Sequence, residues 1–279
     1  MKVGISTHGS RWGENKYKVL KSCGFDCFDF NTMGTESEIY TSSESELKAI
    51  LKKERELAED AGITIWQTHG PWRCPPLDFT TEDRAERFEK MQRSILACYL
   101  LGAKYWVIHP LMPYDTDDLK DNRREETFEI NYNFFSKLIK TAEDYDITIC
   151  IENMPMTSFS IAKPEEILNL VKAINSEKAG ICLDTGHVNV FPELSLHDEV
   201  LRIKDYLKVL HVHDNDGKLD YHQLPYYGTI DWSSFGKALK DINFNGVFSF
   251  ETAPTSNLPS PIYEDTFALM VKTAKHIIG

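Results

Sequence analysis

Six apolar runs in this chain end at or beside an imidazole or a carboxylate: His69 in ITIWQTH, His109 in KYWVIHP, Glu152 in ITICIEN, Asp184 in GICLDT, His211 in LKVLHVHD and Glu251 in GVFSFET. A single histidine at a strand end commonly does no more than hydrogen-bond in a crowded rim, but six such groups at successive strand ends point to a shared purpose. If the strands run parallel toward one rim, all six side chains converge there. Carboxylates crowded into such a place repel one another and lose water, so their pKa values rise unless a cation compensates them. Imidazole mixed with carboxylate suits Zn²⁺, Mn²⁺ or Fe²⁺, whereas oxygen ligands alone would suit Mg²⁺ or Ca²⁺. The expectation is a divalent metal centre, Zn or Mn, of one to three ions.

Three neighbouring stretches add donors. In ICLDTGHVNV, Asp184 can ligate from the strand end while Gly186 lets the chain turn and return His187 to the same opening. In LHVHD, His211 and His213 are two apart on a strand and share a face, so His213 is either a further donor or a group that orients one. DYHQLP offers Asp220 and His222 at the same spacing. Trp12, Trp72, Tyr114 and Phe159 lie in segments that follow strands and can form an apolar wall against water, Trp72 being placed nearest the substrate. The remaining histidines read otherwise: His8 and His276 as core or surface residues, and His197 as part of a helix start.

The elements that must position these groups follow from hydrophobic periodicity. Eight short runs rich in Val, Ile, Phe and Trp predict strands over 2–7, 25–30, 63–69, 104–110, 147–153, 180–185, 207–214 and 246–252. Between them, helical patterns cover 15–22, 45–61, 81–101, 123–145, 163–174, 196–206, 233–241 and 265–278. Glycines in AEDAG, YLLG and INFNG precede strands, where positive-φ helix stops are expected. Eight strand-then-helix units in this length are the arithmetic of a (β/α)₈ TIM barrel, read as one α/β domain over 1–279. An open doubly wound sheet is the alternative, but no G-x-G-x-x-G follows the first strand. The least regular segments, 31–44, 71–80, 112–122 and 215–229, all follow strands and are expected to shape the pocket. The acidic run over 35–46 reads as a solvated loop and helix cap.

The chain has 279 residues and a formal net charge of −12, so it lacks the long-range field that attracts phosphate backbones and weighs against a nucleic-acid partner. Its six cysteines, Cys23, Cys27, Cys74, Cys98, Cys150 and Cys182, sit singly and read as reduced core thiols. MKVGISTHGS has no signal-peptide pattern and no apolar run approaches membrane-spanning length, so a cytoplasmic protein is expected, with oligomeric state open.

The motifs QTH, IHP, IEN, CLDTGH, HVHD, DYH and FET, in that order from Gln67 to Thr252, resemble those of the xylose-isomerase-like barrels, which include sugar and inosose isomerases, epimerases, dehydratases and apurinic-site endonucleases. The epimerase-like members imply one divalent metal held by Glu152, Asp184, His211 and Glu251, with His187 touching the substrate. The endonuclease-like members imply a zinc cluster that adds His69, His109, His187, Asp220 and His222. This sequence matches both sets, but it has Tyr227 where a glycine is common, and no loop for gripping phosphate or entering a base stack is apparent. The resemblance favours a metal-dependent isomerase or epimerase acting on a small sugar, sugar phosphate, inosose or polyol. In that chemistry Glu152 and Glu251 exchange protons with a carbon beside a carbonyl through an enediolate, and His187 donates to a substrate oxygen. The alternatives are an endonuclease-like phosphodiesterase, an inosose-type dehydratase and a non-catalytic sugar-binding barrel.

Overall fold

The eight apolar runs form eight strands: β1 (Lys2–Ser6), β2 (Cys27–Asn31), β3 (Thr64–His69), β4 (Tyr105–Ile108), β5 (Thr148–Glu152), β6 (Ala179–Asp184), β7 (Leu207–His211) and β8 (Val247–Phe250). In the computed structural model, which describes residues 1–6, 10–72, 78–114 and 118–279, they pair in parallel in the order β7-β6-β5-β4-β3-β2-β1-β8. The β7/β8 seam closes just beyond the strands. Val212 N–H donates to the Ser249 carbonyl at 2.8 Å, and Glu251 N–H donates to the Val212 carbonyl at 3.1 Å. This is the (β/α)₈ barrel that the pattern predicts.

Helices α1 (Lys16–Cys23), α2 (Glu38–Thr41), α3 (Glu44–Ala61), α4 (Thr81–Leu100), α5 (Arg124–Asp144), α6 (Pro164–Ile174), α7 (Thr185–Asn189), α8 (Leu196–Ile203), α9 (Trp232–Asp241) and α10 (Ile262–Ile278) connect and surround the strands. Outward-facing strand residues meet their apolar faces. Trp106 of β4, for example, is fully buried and donates its indole N–H to Ser94 Oγ of α4 at 2.9 Å. Helices α3 and α4 start in reciprocal capping boxes, Ser43 with Glu46 and Thr80 with Asp83, each contributing about 1 kcal/mol. The acidic stretch thus caps α3 as expected, but it also contains α2, which the loop reading did not anticipate. None of the described helices is long and apolar enough to cross a membrane.

Of the three glycine stops, Gly62 and Gly102 take positive φ, at 70° and 78°. The expectation fails at Gly246. Asn243 supplies the left-handed residue after α9, and Gly246 is needed for space, because a Cβ there would lie 2.5 Å from the Phe244 ring. Cys27, Cys98, Cys150 and Cys182 are buried free thiols and Cys23 is half-buried and free; Cys74 and His8 lie outside the described residues. His197 falls in the first turn of α8, and His276 is exposed on α10.

Candidate metal centre

The alternation of side chains along a strand sorts the barrel interior into layers. Val107, Cys150, Cys182 and Val209 pack together on the inner face. Two residues farther along the same strands come His109, Glu152, Asp184 and His211, and Gln67 stands two before His69 in the same way. Two register shifts adjust this layer. One extra residue in β3, Trp66, brings Gln67 opposite Asp29, and one extra residue in β7, Lys208, brings His211 opposite Asp184. Such bulges re-aim side chains at barrel rims.

Glu152 is the hub. Its Oε1 lies 2.7 Å from His211 Nδ1, while Oε2 lies 3.3 Å from His69 Nε2 and 3.2 Å from His109 Nε2. His211 Nδ1 is also 3.3 Å from Glu251 Oε2. Glu152, Asp184, His211 and Glu251 therefore offer ligand atoms all within 4.8 Å of one another, as do His69, Glu152 and His211. His69 and His109 meet at 3.3 Å between their Nε2 atoms, and Trp72 stands edge-on to the His109 ring at 4.4 Å.

A second group, His187, His213, Asp220 and His222, satisfies the same 4.8 Å criterion. Here the structure corrects the expected turn at Gly186. Asp184 caps α7, its Oδ1 accepting from the His187 N–H at 2.7 Å, so a helix rather than a glycine turn returns His187 to the opening. Gly186 is required by close approach instead, since a Cβ there would sit 2.0 Å from His213 Cε1. Gly186→Ala should push His213 off its site at a cost of about 1–3 kcal/mol. Urea unfolding checks this, and an unchanged midpoint would refute the packing argument. His213 stacks on His222 at 3.9 Å and lies 3.0 Å from Asp184 Oδ1, among the donors rather than behind them. Asp220 Oδ2 is 3.2 Å from both His187 Nε2 and His222 Nε2.

Several supporting residues had no role in the sequence reading. Asp29 accepts from Gln67 Nε2 and lies 2.9 Å from His211 Nε2. Asn153 bonds both the N–H and the carbonyl of Asp184, and its own carbonyl lies 2.7 Å from His187 Nδ1. Asp214 anchors the loop that carries Asp220 and His222, accepting from the N–H groups of Asn215, Tyr226 and Ile230 and from the Trp232 indole. Asn153 and Asp214 stand in motifs already singled out, which was the available signal. Of the four aromatics, only Trp72 has a ring contact with a donor histidine among the described residues. Trp12 packs on Tyr263 and Phe267 of α10, Tyr114 faces the Arg123 guanidinium, and Phe159 is buried in the core.

The electrostatics fit a cation. Burial alone would raise the Glu152 carboxyl, but His211, His109 and His69 hold it well below the usual range. Asp184 is likewise lowered against burial by His187 and His213. Burial opposes charge on His187 and His222, yet Asp184 and Asp220 raise His187 to about 10, and Asp220 with Glu251 raises His222 to about 9. Burial pushes His109 down to about 4. Asp184 Oδ2 and His213 Nδ1 are buried without a hydrogen-bond partner, and Glu152 Oε2, Asp220 Oδ1 and His213 Nε2 have close ionic neighbours but no well-aligned hydrogen bond. Orphaned donors and acceptors gathered in one place are what a bound ion would satisfy.

These shifts carry a pH dependence. Folded-state pKa values above the ordinary 6.5 stabilise the fold fully below 6.5, and that contribution is lost as pH rises through about 9 and about 10. Thermal unfolding of chelator-treated protein should therefore weaken across that window. Zn²⁺ or Mn²⁺, whose ligands must be deprotonated, should restore stability increasingly as pH rises. A metal effect that shrank with rising pH in that window would contradict the assignment.

A sequence profile described as the xylose isomerase-like TIM barrel matches residues 17–272. The chain belongs to this family. It is 31% identical over 187 residues to the uncharacterized protein MJ1311 of Methanocaldococcus jannaschii, a match that covers 66% of this chain and spans 62% of that protein's length. It is 24% identical to the D-psicose 3-epimerase of Enterocloster bolteae, over 83% of this chain and 74% of that one. It is 31% identical to a probable endonuclease 4 of Mesomycoplasma hyopneumoniae, over 62% and 63%. The solved D-psicose 3-epimerase of Clostridium cellulolyticum H10 with D-tagatose shares the fold, with a TM-score of 0.79 at 19% identity, over 100% of this chain and 99% of that one. Within this family fold, the described residues present three His/Asp/Glu groups able to hold divalent metal.

Proposed function

We propose that the chain, working as one domain over 1–279, is a divalent-metal-dependent isomerase or epimerase of a small polyhydroxylated carbonyl compound, a sugar or related polyol. Glu152, Asp184, His211 and Glu251 would hold Zn²⁺ or Mn²⁺, and the further groups would accommodate a total of one to three ions. A divalent ion supplies Lewis acidity that makes the C–H beside a substrate carbonyl easier to deprotonate. The observation that carries the reading is geometric: two carboxylates, Glu152 Oε1 at 2.7 Å and Glu251 Oε2 at 3.3 Å, lean on one imidazole nitrogen, His211 Nδ1. Glu152 is held anionic by His211, His109 and His69, whereas burial and then the charges of Glu152 and Asp184 raise Glu251. Two carboxylates so placed can serve one as proton acceptor and the other as donor.

Glu152 would remove the proton and Glu251, at the more open edge of the cage, would return one. His187, raised to about 10 by Asp184 and Asp220 against burial, is poised to donate from Nε2 to a substrate oxygen. Trp72, beside His109, would keep water from that side. The test is turnover: metal-loaded protein is incubated with ketoses, aldoses and inososes, and products are separated by stereochemistry. Failure to convert any of them would count against the proposal.

One observation favours a second reading. His69 and His109 on Glu152 Oε2, and His222 on Asp220, are donors that a single-ion proton transfer leaves idle. A multi-ion hydrolytic centre acting on phosphodiesters would use them, and several relatives bear an endonuclease name. The net charge of −12 weighs against a nucleic-acid substrate. Cleavage of a duplex containing an abasic site, assayed beside the sugars, separates the two readings.

A further inference from the structure

We propose that Asp29 is a positioning residue that fixes His211 as a ligand through Nδ1, with Gln67 holding Asp29 in turn. The inference rests on the reading that Glu152, Asp184, His211 and Glu251 hold a divalent ion. Asp29 belongs to β2, on the opposite side of the chain's sequence from His211, and both are buried, at 1% and 0% exposure. One oxygen, Asp29 Oδ2, receives two contacts: His211 Nε2 at 2.9 Å and Gln67 Nε2 at 2.9 Å. The other face of the imidazole, Nδ1, is the one turned to Glu152 Oε1 and Glu251 Oε2. With Nε2–H committed to a carboxylate, the free lone pair of a neutral His211 must lie on Nδ1, and the ring cannot rotate without breaking that bond.

The local fold is adjusted to make this contact. The extra residue in β3 sets Gln67 directly across from Asp29, where uninterrupted register from the Phe28 and Ile65 pair would set Trp66. A carboxylate buried this completely needs partners. Gln67 and His211 are the hydrogen-bond partners shown for Asp29 Oδ2, and Asp29 Oδ1 has none. The arrangement is therefore directed at one imidazole, and through it at the metal-facing side.

The test is Mn²⁺ titration of the chelator-stripped full chain by calorimetry, together with the visible spectrum of the Co²⁺-loaded protein. Asp29→Asn keeps the shape and, with its amide oxygen in the place of Oδ2, an acceptor for both the His211 and the Gln67 donors while removing the charge. It should weaken Mn²⁺ binding about tenfold, and Asp29→Leu, which also frees the ring, about a hundredfold. In both, the Co²⁺ bands should shift, a change that a general loss of stability would not produce. In ¹⁵N spectra of the Zn²⁺-loaded wild type, His211 should carry its proton on Nε2. If the Asp29 variants fail to fold, Gln67→Leu should still lower affinity about threefold, less than the Asp29 variants because Gln67 acts only through Asp29. Wild-type binding with unchanged affinity and an unchanged Co²⁺ spectrum in the folded variants would overturn the proposal alone. No binding by the wild type would overturn the metal reading and this proposal with it.

Discussion

Protein purified without chelator should contain about one to three equivalents of Zn or Mn, and Asp184→Ala should lose most of it. Asp184 is fully buried at the end of β6 and lies between both donor groups. Its Oδ1 caps α7 and faces His213 Nε2 at 3.0 Å, while its Oδ2 is left without a partner. Alanine at this position removes a proposed ligand, a cap worth about 1 kcal/mol, and the carboxylate that does most to raise His187. Asp184→Asn separates these effects, because its side-chain oxygen can still cap α7 while the anion is gone. Elemental analysis should show both variants depleted, alanine more so. Chelation should lower the unfolding temperature of the wild type and have little effect on Asp184→Ala, since an ion that binds only the folded chain stabilises it by mass action. Full metal content in both the Asp184→Ala and Glu251→Ala proteins would sink the assignment.

Glu251→Gln should leave the barrel intact and lower kcat by about 10²–10⁴, the range for losing a positioned acid or base. Glu251 follows β8 at the closing seam, where its own N–H pairs with Val212 and its carbonyl lies 2.7 Å from His222 Nδ1, so its backbone is fixed independently of its side chain. The glutamine keeps volume and an oxygen near His211 but cannot exchange a proton. Because Glu251 is also a proposed ligand, the metal content of the variant must be measured, and kcat compared at equal loading. Unchanged kcat at full loading would remove Glu251 from the proton-transfer scheme and leave it a ligand only.

The barrel was readable because its strands are short, buried runs separated by strongly periodic helices, and because polar groups ended those runs at one rim. His69, Glu152, Asp184 and His211 could be placed together on parallel direction alone. Asp29 could not. In FDCFDF it looks like a polar interruption of a buried strand, and only closure of the barrel brings it to His211, 182 residues away. Gly186 was marked, but for the wrong reason. Its need for a missing Cβ depends on where the His213 ring comes to rest, which no local pattern encodes. The short helices α2 and α7 were also missed. The first lies inside an acidic run that reads as loop, and the second is started by Asp184, whose place in the donor set drew attention away from its role as an N-cap.

The most direct test of proton transfer at this cage is solvent isotope uptake. Metal-loaded protein is incubated in deuterated water with keto- and aldo-sugars and inososes, with product identity followed alongside. Transfer by Glu152 and Glu251 predicts deuterium at the carbon beside the carbonyl in converted product, and loss of both conversion and label in Glu251→Gln. Cleavage of an abasic duplex with no sugar conversion and no label would contradict the account and assign the cage to hydrolysis.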